Sequence, residues 1–158
     1  MIDRTPQVRP VRRDDLPALK RVIDANQLFP SELLDDMIAP YLGGGDTGEF
    51  WLTAEGDGPV AVGYCAPERM TDGTWNMLLI AVDPARHGEG IGAAMMANVE
   101  QRLVEQGQRV LLVETSGLPE FERTRGFYRF IGYDEEARIR DYYQSGEDKV
   151  VFRKALMA

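Results

Sequence analysis

Apolar positions along this chain recur with helical spacing in some stretches and as short continuous or alternating runs in others. Residues 8–12, V-R-P-V-R, read as a short first strand. Asp14 and Asp15 then offer a helix cap before Leu16, Leu19, Val22 and Ile23, which fall at helical spacing. A second helix is predicted over residues 31–42, capped by Ser31, with Leu34, Met37, Ile38 and Tyr41 on one face. The Gly43-Gly44-Gly45-Asp46 cluster ends it. Strands follow over residues 49–54, 60–66 and 74–82, separated by turn signals at Gly56-Asp57-Gly58 and Thr71-Asp72-Gly73, which predicts an antiparallel meander.

From Ile91 the period changes back. Ile91, Met95, Val99 and Leu103 stand every fourth residue, and Gly107 supplies the stop. Residues 109–114 form the next predicted strand, and residues 119–131 a helix opened by Pro119 and closed by Gly132. Residues 133–138 and 150–154 read as closing strands joined through D-Y-Y-Q-S-G-E-D. The order βααβββαβαββ predicts an α/β (α+β) fold with one mixed sheet. With no repeat, low-complexity tract or long linker, residues 1–158 are expected to form a single domain.

Composition narrows the function without naming it. A hydrophobic fraction of 44% with 28% charged residues fits an ordinary globular protein. No run of 18 apolar residues is present, and the opening M-I-D-R-T-P-Q lacks the apolar core of a leader, so no membrane partner and a cytoplasmic location are expected. The net charge of -8 argues against nucleic acid as a partner, despite local basic residues Arg9, Arg12 and Arg13. Cys65, the only cysteine, lies in an apolar run, where it is expected to be a buried thiol.

The chemistry concentrates in V-D-P-A-R-H-G-E-G-I-G-A-A, residues 82–94, where three glycines in five residues precede a helical pattern. A strand, a glycine-rich turn and a helix N-terminus form an anion site, because the first helix amides lack internal partners. Glycines there allow unusual backbone angles and close approach of phosphate. A turn that only packs the helix onto the sheet is the simpler alternative. The P-loop is excluded because no Gly-Lys-Ser/Thr follows. A dinucleotide site is suggested by Gly88-Glu89-Gly90-Ile91-Gly92-Ala93 with Glu114 further on. Against it, Asp83 to His87 separate the strand from the first glycine, and only 44 residues follow Glu114.

The stretch L-L-I-A-V-D-P-A-R-H-G-E-G-I-G-A-A-M resembles the acetyl-CoA-binding segment of the GNAT acetyltransferase superfamily. G-F-Y-R-F-I-G-Y resembles that superfamily's late helix end, and V-R-P-V-R-R-D-D-L its first strand and helix entry. The resemblance implies a mixed sheet with helices on both faces and a splayed central strand pair. It further implies acetyl-CoA as co-substrate, no metal, and direct acetyl transfer to an amine. Leu79, Ile80, Ala81 and Val82 would pair with pantetheine, the Val82 amide would meet the oxyanion, and His87, Gly88, Glu89, Gly90, Ile91, Gly92 and Ala93 would cradle the pyrophosphate. His87 occupies a position usually Arg or Gln in the family.

Within that resemblance Tyr128 matches the residue that protonates the leaving sulfur. Asn76 takes the place of a frequent catalytic glutamate; it cannot accept a proton but could orient a water. Glu114, ending the neighbouring strand, becomes the leading candidate for the base, with a solvated strand end or an Arg109 partner as the alternative; Asp83 is weaker. Specificity in the family sits in the first two helices and the last hairpin, which points to Phe29, Tyr142 and Tyr143 as substrate-binding residues. R-I-R-D-Y-Y resembles enzymes that acetylate protein N-termini, whereas the following E-D-K-V-V-F departs from them, so a small-molecule or amino-acid amine is preferred over a peptide. A coenzyme A-binding sensor without catalysis stays open, as does a homodimer.

Overall fold

The computed structural model describes residues 6–45 and 48–156. Met1 to Thr5, in the opening read above as lacking a leader core, and Asp46 of the glycine cluster lie outside these residues. The elements, in order, are β1 (Gln7–Pro10), α1 (Leu16–Ala25), α2 (Leu34–Leu42), β2 (Phe50–Gly56), β3 (Gly58–Pro59), β4 (Ala61–Pro67), β5 (Thr74–Val82), α3 (Ile91–Glu105), β6 (Val110–Ser116), α4 (Glu122–Phe130), β7 (Asp134–Gln144) and β8 (Glu147–Ala155). The strands form one mixed sheet in the order β1-β2-β4-β5-β6-β8-β7, with the short β3 folded back on β2. By contact the chain divides into two compact units, residues 1–66 with 79–101, and residues 67–78 with 102–158.

In the first unit, β1 pairs antiparallel with β2, and β2 with β4. The predicted helix faces are the buried ones: Leu19, Val22 and Ile23 of α1 and Leu34 and Ile38 of α2 close over Trp51, Val62 and Ala81. Full burial of such a side chain is worth about 1.5–3 kcal/mol, so this cluster anchors both helices. Residues 31–33 begin the second helix as a 3-10 turn rather than a regular α turn. On α3, the predicted stripe Ile91, Met95, Val99 and Leu103 is buried in full.

In the second unit, β5 and β6 run parallel from Thr74↔Val110 to Met77↔Val113. Pairing stops there, while β5 continues to Val82 and β6 to Ser116. β6 pairs antiparallel with β8 from Val110↔Ala155 to Ser116↔Lys149. α4 lays Tyr128 on Phe152 of β8, ring centroids 5.5 Å apart.

Most strand ends differ from the sequence reading by one or two residues, β3 lies at a predicted turn, and the last hairpin differs most. D-Y-Y-Q-S-G-E-D is not a connecting loop: β7 runs to Gln144, β8 starts at Glu147, and only Ser145-Gly146 turn between them. The register jumps from Ile139↔Lys149 to Gln144↔Glu147, so residues 140–143 bulge outward. Asp148 ties the bulge down, accepting from Arg138 at 2.8 Å and from the Asp141 amide at 3.0 Å. Polar residues that looked like loop composition therefore serve as bulge hydrogen bonds.

Candidate active site

The candidate anion site of the first unit starts where β5 ends. Asp83 fixes the turn, its amide donating to Val60 O at 2.8 Å and its carboxylate accepting from the Ala85 amide at 3.0 Å. A 3-10 turn, Pro84–Arg86, carries the chain to Gly88 and Gly90, whose φ values are +84° and +81°. An added Cβ at either glycine would meet no atom within 4 Å. Their role is thus backbone conformation and an open approach, since an L side chain is disfavoured at such angles and the space before them is clear. The first helical bond is donated by Ala94 N to Gly90 O at 3.0 Å, which leaves the amides of Ile91, Gly92 and Ala93 facing the loop without an intrahelical acceptor. Glu89 and Asp57 each lie 3.6 Å from the Arg86 guanidinium.

His87 folds back along the loop, its Nε2 3.1 Å from Val82 O. A carbonyl only accepts, so Nε2 carries the proton. Asn26, at the end of α1, donates to the same oxygen at 3.0 Å and to Val22 O at 2.9 Å. Two donors thereby hold the last peptide of the cofactor-strand candidate. Leu79 and Ala81 turn into the α1–α2 core, with Phe29 packed against the same cluster; Ile80 and Val82 are half-buried.

In the second unit, alternation along the strands separates two faces. Val113 and Phe152 face α4, where Tyr128 is 4% exposed between Phe127, Tyr133 and Phe152. Burial pushes the Tyr128 phenol up, so it stays protonated through the neutral range. On the opposite face lie Asn76, Leu112 and Glu114, by the pairing Asn76↔Leu112 and the period of two. Glu114 Oε2 is 2.6 Å from Lys149 Nζ, which also lies 4.1 Å from the centre of the Tyr142 ring. Burial works most strongly against the Lys149 charge, but the bond to Glu114, its negative charge and Tyr142 together outweigh it and hold the ammonium above its ordinary value. The Glu114 partner is therefore Lys149; Arg109 instead donates to Asp72 O at 2.7 Å. Tyr142 and Tyr143 stand exposed on the bulge, edge to face at 5.1 Å. Asn76 is 4% exposed and donates from Nδ2 to Glu68 Oε1 at 2.8 Å.

Cys65 is buried, and burial raises its thiol far above the ordinary value, so it is not a nucleophile at neutral pH. Among the described residues, no group of three His, Cys, Asp or Glu side chains gathers as a metal would require. Among the same residues, no helix is long and apolar enough to cross a membrane.

Against known families, the model of the acetyltransferase (GNAT) domain matches residues 46–135. The chain belongs to the GNAT family. Among solved structures, a GNAT-family acetyltransferase described from Desulfovibrio desulfuricans superposes with a TM-score of 0.88 at 28% identity, covering 96% of this chain and 99% of that one. The ribosomal-protein-S18-alanine N-acetyltransferase of Escherichia coli gives a TM-score of 0.76 at 18% identity, with 97% and 96% covered. An aminoglycoside 6'-N-acetyltransferase complexed with coenzyme A gives 0.76 at 12% identity, with 96% and 98% covered. The last two show the fold alone. Comparison with curated proteins gives no sequence match.

The loop fits the family's co-substrate: a 15-residue helix presents its N-terminus behind two left-handed glycines with open space in front. Gly90→Asp places a carboxylate in that space; its Cβ meets no atom within 4 Å, and the left-handed angle adds local backbone strain. Calorimetry should show coenzyme A affinity falling at least about tenfold, through like-charge repulsion at the helix N-terminus, with the fold retained. Three residues escaped the sequence reading. They are Lys149, Asn26 and Glu68, each of which acquires a role through a contact distant in sequence or across a strand pair.

Proposed function

We propose that this GNAT acetyltransferase moves an acetyl group from acetyl-CoA directly to the primary amine of a small molecule or amino acid. The reading rests on one observation above the others, the turn in which Gly88 and Gly90 adopt left-handed angles before the N-terminus of α3. Bound acetyl-CoA supplies an activated acetyl thioester. The amides of Ile91, Gly92 and Ala93 would hold its pyrophosphate, with Leu79 to Val82 offering backbone to the pantetheine arm. Asn26 and His87 would keep the Val82 peptide in one orientation beside the reacting carbonyl. Tyr128, kept protonated by burial, would give its phenolic proton to the departing sulfur. A carboxylate on the Asn76 face would take the proton of the acceptor ammonium. No covalent intermediate on the protein is needed, in keeping with the buried, protonated state of Cys65.

A peptide N-terminal amine is the second reading, favoured by the exposed Tyr142–Tyr143 pair. Thiol release from acetyl-CoA, measured with an amino-acid amide, a short peptide, an aminoglycoside and a polyamine, tests both. Release with the first, third or fourth supports the proposal, and release with the peptide alone moves the assignment to peptide N-termini. Coenzyme A binding without release in any case would make the chain a sensor and overturn it.

A further inference from the structure

Outside the groups already given roles, the least expected polar arrangement is the pair Glu68–Asn76. Among the described residues, two buried side-chain polar atoms have no hydrogen-bond partner: Trp51 Nε1 and Asn76 Oδ1. Chemistry settles the Asn76 orientation. Its nitrogen must face Glu68 Oε1 at 2.8 Å, because the reverse rotamer would bring two oxygens together. Oδ1 is consequently aimed away from Glu68 and lacks a donor, in a side chain that is 4% exposed. The bond from Nδ2 to Glu68 is thus the one side-chain hydrogen bond that Asn76 makes among the described residues.

We infer that Glu68 is the proton acceptor of the reaction and that Asn76 positions it through the bond from its Nδ2. The inference rests on the transferase reading above. Glu68 follows β4 directly, and its amide donates to Thr74 O at 2.8 Å, which fixes the carboxylate beside the start of β5. Thr71 Oγ1 donates to Glu68 O at 2.9 Å and closes the turn behind it. The carboxylate is half-buried and, among the described residues, has a neutral amide rather than a cation as its partner. Leu78, next on the same face of β5, is 50% exposed, so the face is open beside Asn76.

Glu114 is differently situated. A full positive charge at 2.6 Å already engages its oxygen, and Lys149 is itself held by the Tyr142 ring. Taking a proton there would break that ion pair, whereas Glu68 can take one and keep its bond from Asn76. The family resemblance implies a carboxylate at the strand position that Asn76 occupies, and here the turn between β4 and β5 supplies one instead.

The step balances. The ammonium gives one proton to Glu68, directly or through a water, and the freed amine forms the N–C bond as C–S breaks. Sulfur takes the phenolic proton of Tyr128, the second nitrogen proton returns through water to the phenolate, and Glu68 releases its proton to solvent. Ammonium and thioester become amide, thiol and one proton.

Rates are to be measured against pH with the best acceptor of the panel above. Other charges that bear on the profile are Glu114, Lys149 and Arg153 on the same face, and Arg69 and Asp72 in the turn. Glu68→Gln should lower kcat at least about a hundredfold and lose the acidic limb of the profile, while Glu114→Gln keeps that limb. Asn76→Ala should lower kcat and also weaken acceptor binding in calorimetry without acetyl-CoA, which a purely structural role would leave alone. Returning a carboxylate to the strand by combining Glu68→Gln with Asn76→Glu should recover about tenfold or more of the lost rate. Wild-type activity with Glu68→Gln within about threefold of it and an intact acidic limb overturns the inference alone, as does loss of the limb in Glu114→Gln instead. Absence of thiol release by the wild type overturns the transferase reading and this inference with it.

Discussion

Tyr128→Phe lowers turnover by about 10²–10⁴-fold, the usual worth of a general acid, while acetyl-CoA affinity stays within about threefold. The two effects separate because the hydroxyl is asked to donate only as negative charge gathers on sulfur, so its loss falls on the transition state and spares the bound ground state. The ring has a second duty. It fills the space between Phe127, Tyr133 and Phe152, with centroid distances of 5.4, 6.2 and 5.5 Å. Phenylalanine keeps those contacts, so the melting temperature should shift by less than about 3 °C. Tyr128→Ala would confuse the issue, since truncating a buried aromatic costs about 3–5 kcal/mol by itself. Stopped assays of thiol release with parallel calorimetry check the pair of expectations. Turnover within about twofold of wild type would assign the sulfur's proton to another donor, and a parallel fall in affinity would make Tyr128 a binding residue.

Asp15→Ala is expected to lower stability markedly. Asp15 is 5% exposed and receives three bonds: from Arg9 Nη1 and Nη2 at 2.8 Å each and from the Arg12 amide at 2.7 Å. Arg9 also reaches Glu55 on β2, so this one cluster joins β1, β2 and the entry to α1. Arg9 keeps Glu55 as a carboxylate partner, so the loss is that of the charge-assisted bonds to Asp15, about 2–3 kcal/mol. For a chain of this length that corresponds to a melting temperature lower by roughly 5–10 °C. The pH dependence has a definite sign. The bonds from Arg9 chiefly, helped by the Arg12 amide and opposed by burial, lower the Asp15 carboxyl below its ordinary value of 3.8. The stabilisation is therefore complete above about pH 4, the unfolded value, and is lost as pH falls through the lower folded value. Asp15→Asn should accordingly differ most from wild type in melts at neutral pH, with the gap closing in acid. A gap independent of pH would mean that the site contributes by shape rather than charge.

The periodic elements were legible because each is set by a local rule. Ile91, Met95, Val99 and Leu103 predict a helix face that is then buried, and β5 has the predicted bounds. The glycine loop was legible for a related reason. Left-handed angles at Gly88 and Gly90 before a helix N-terminus require glycine, so the backbone's demand is written directly into residue type. The hairpin was not legible in this way. Residues 140–143 bulge because Asp148 bonds Arg138 and the Asp141 amide, and a string of polar residues resembles a loop until its partners are known.

What the sequence by itself determined, then, is the order and type of the elements other than the short β3, the buried helix faces and the glycine turn before α3, all of which depend on neighbours within a few residues. Tertiary structure alone decided which side chains meet. It put Lys149 on Glu114, Asn26 and His87 on the Val82 carbonyl, and Glu68 beside Asn76 with an unpartnered amide oxygen. Strand register sets most of these pairs, and a shift of one residue sends each side chain to the other face of the sheet, so composition and spacing along one strand carry no information about its partner across the ladder.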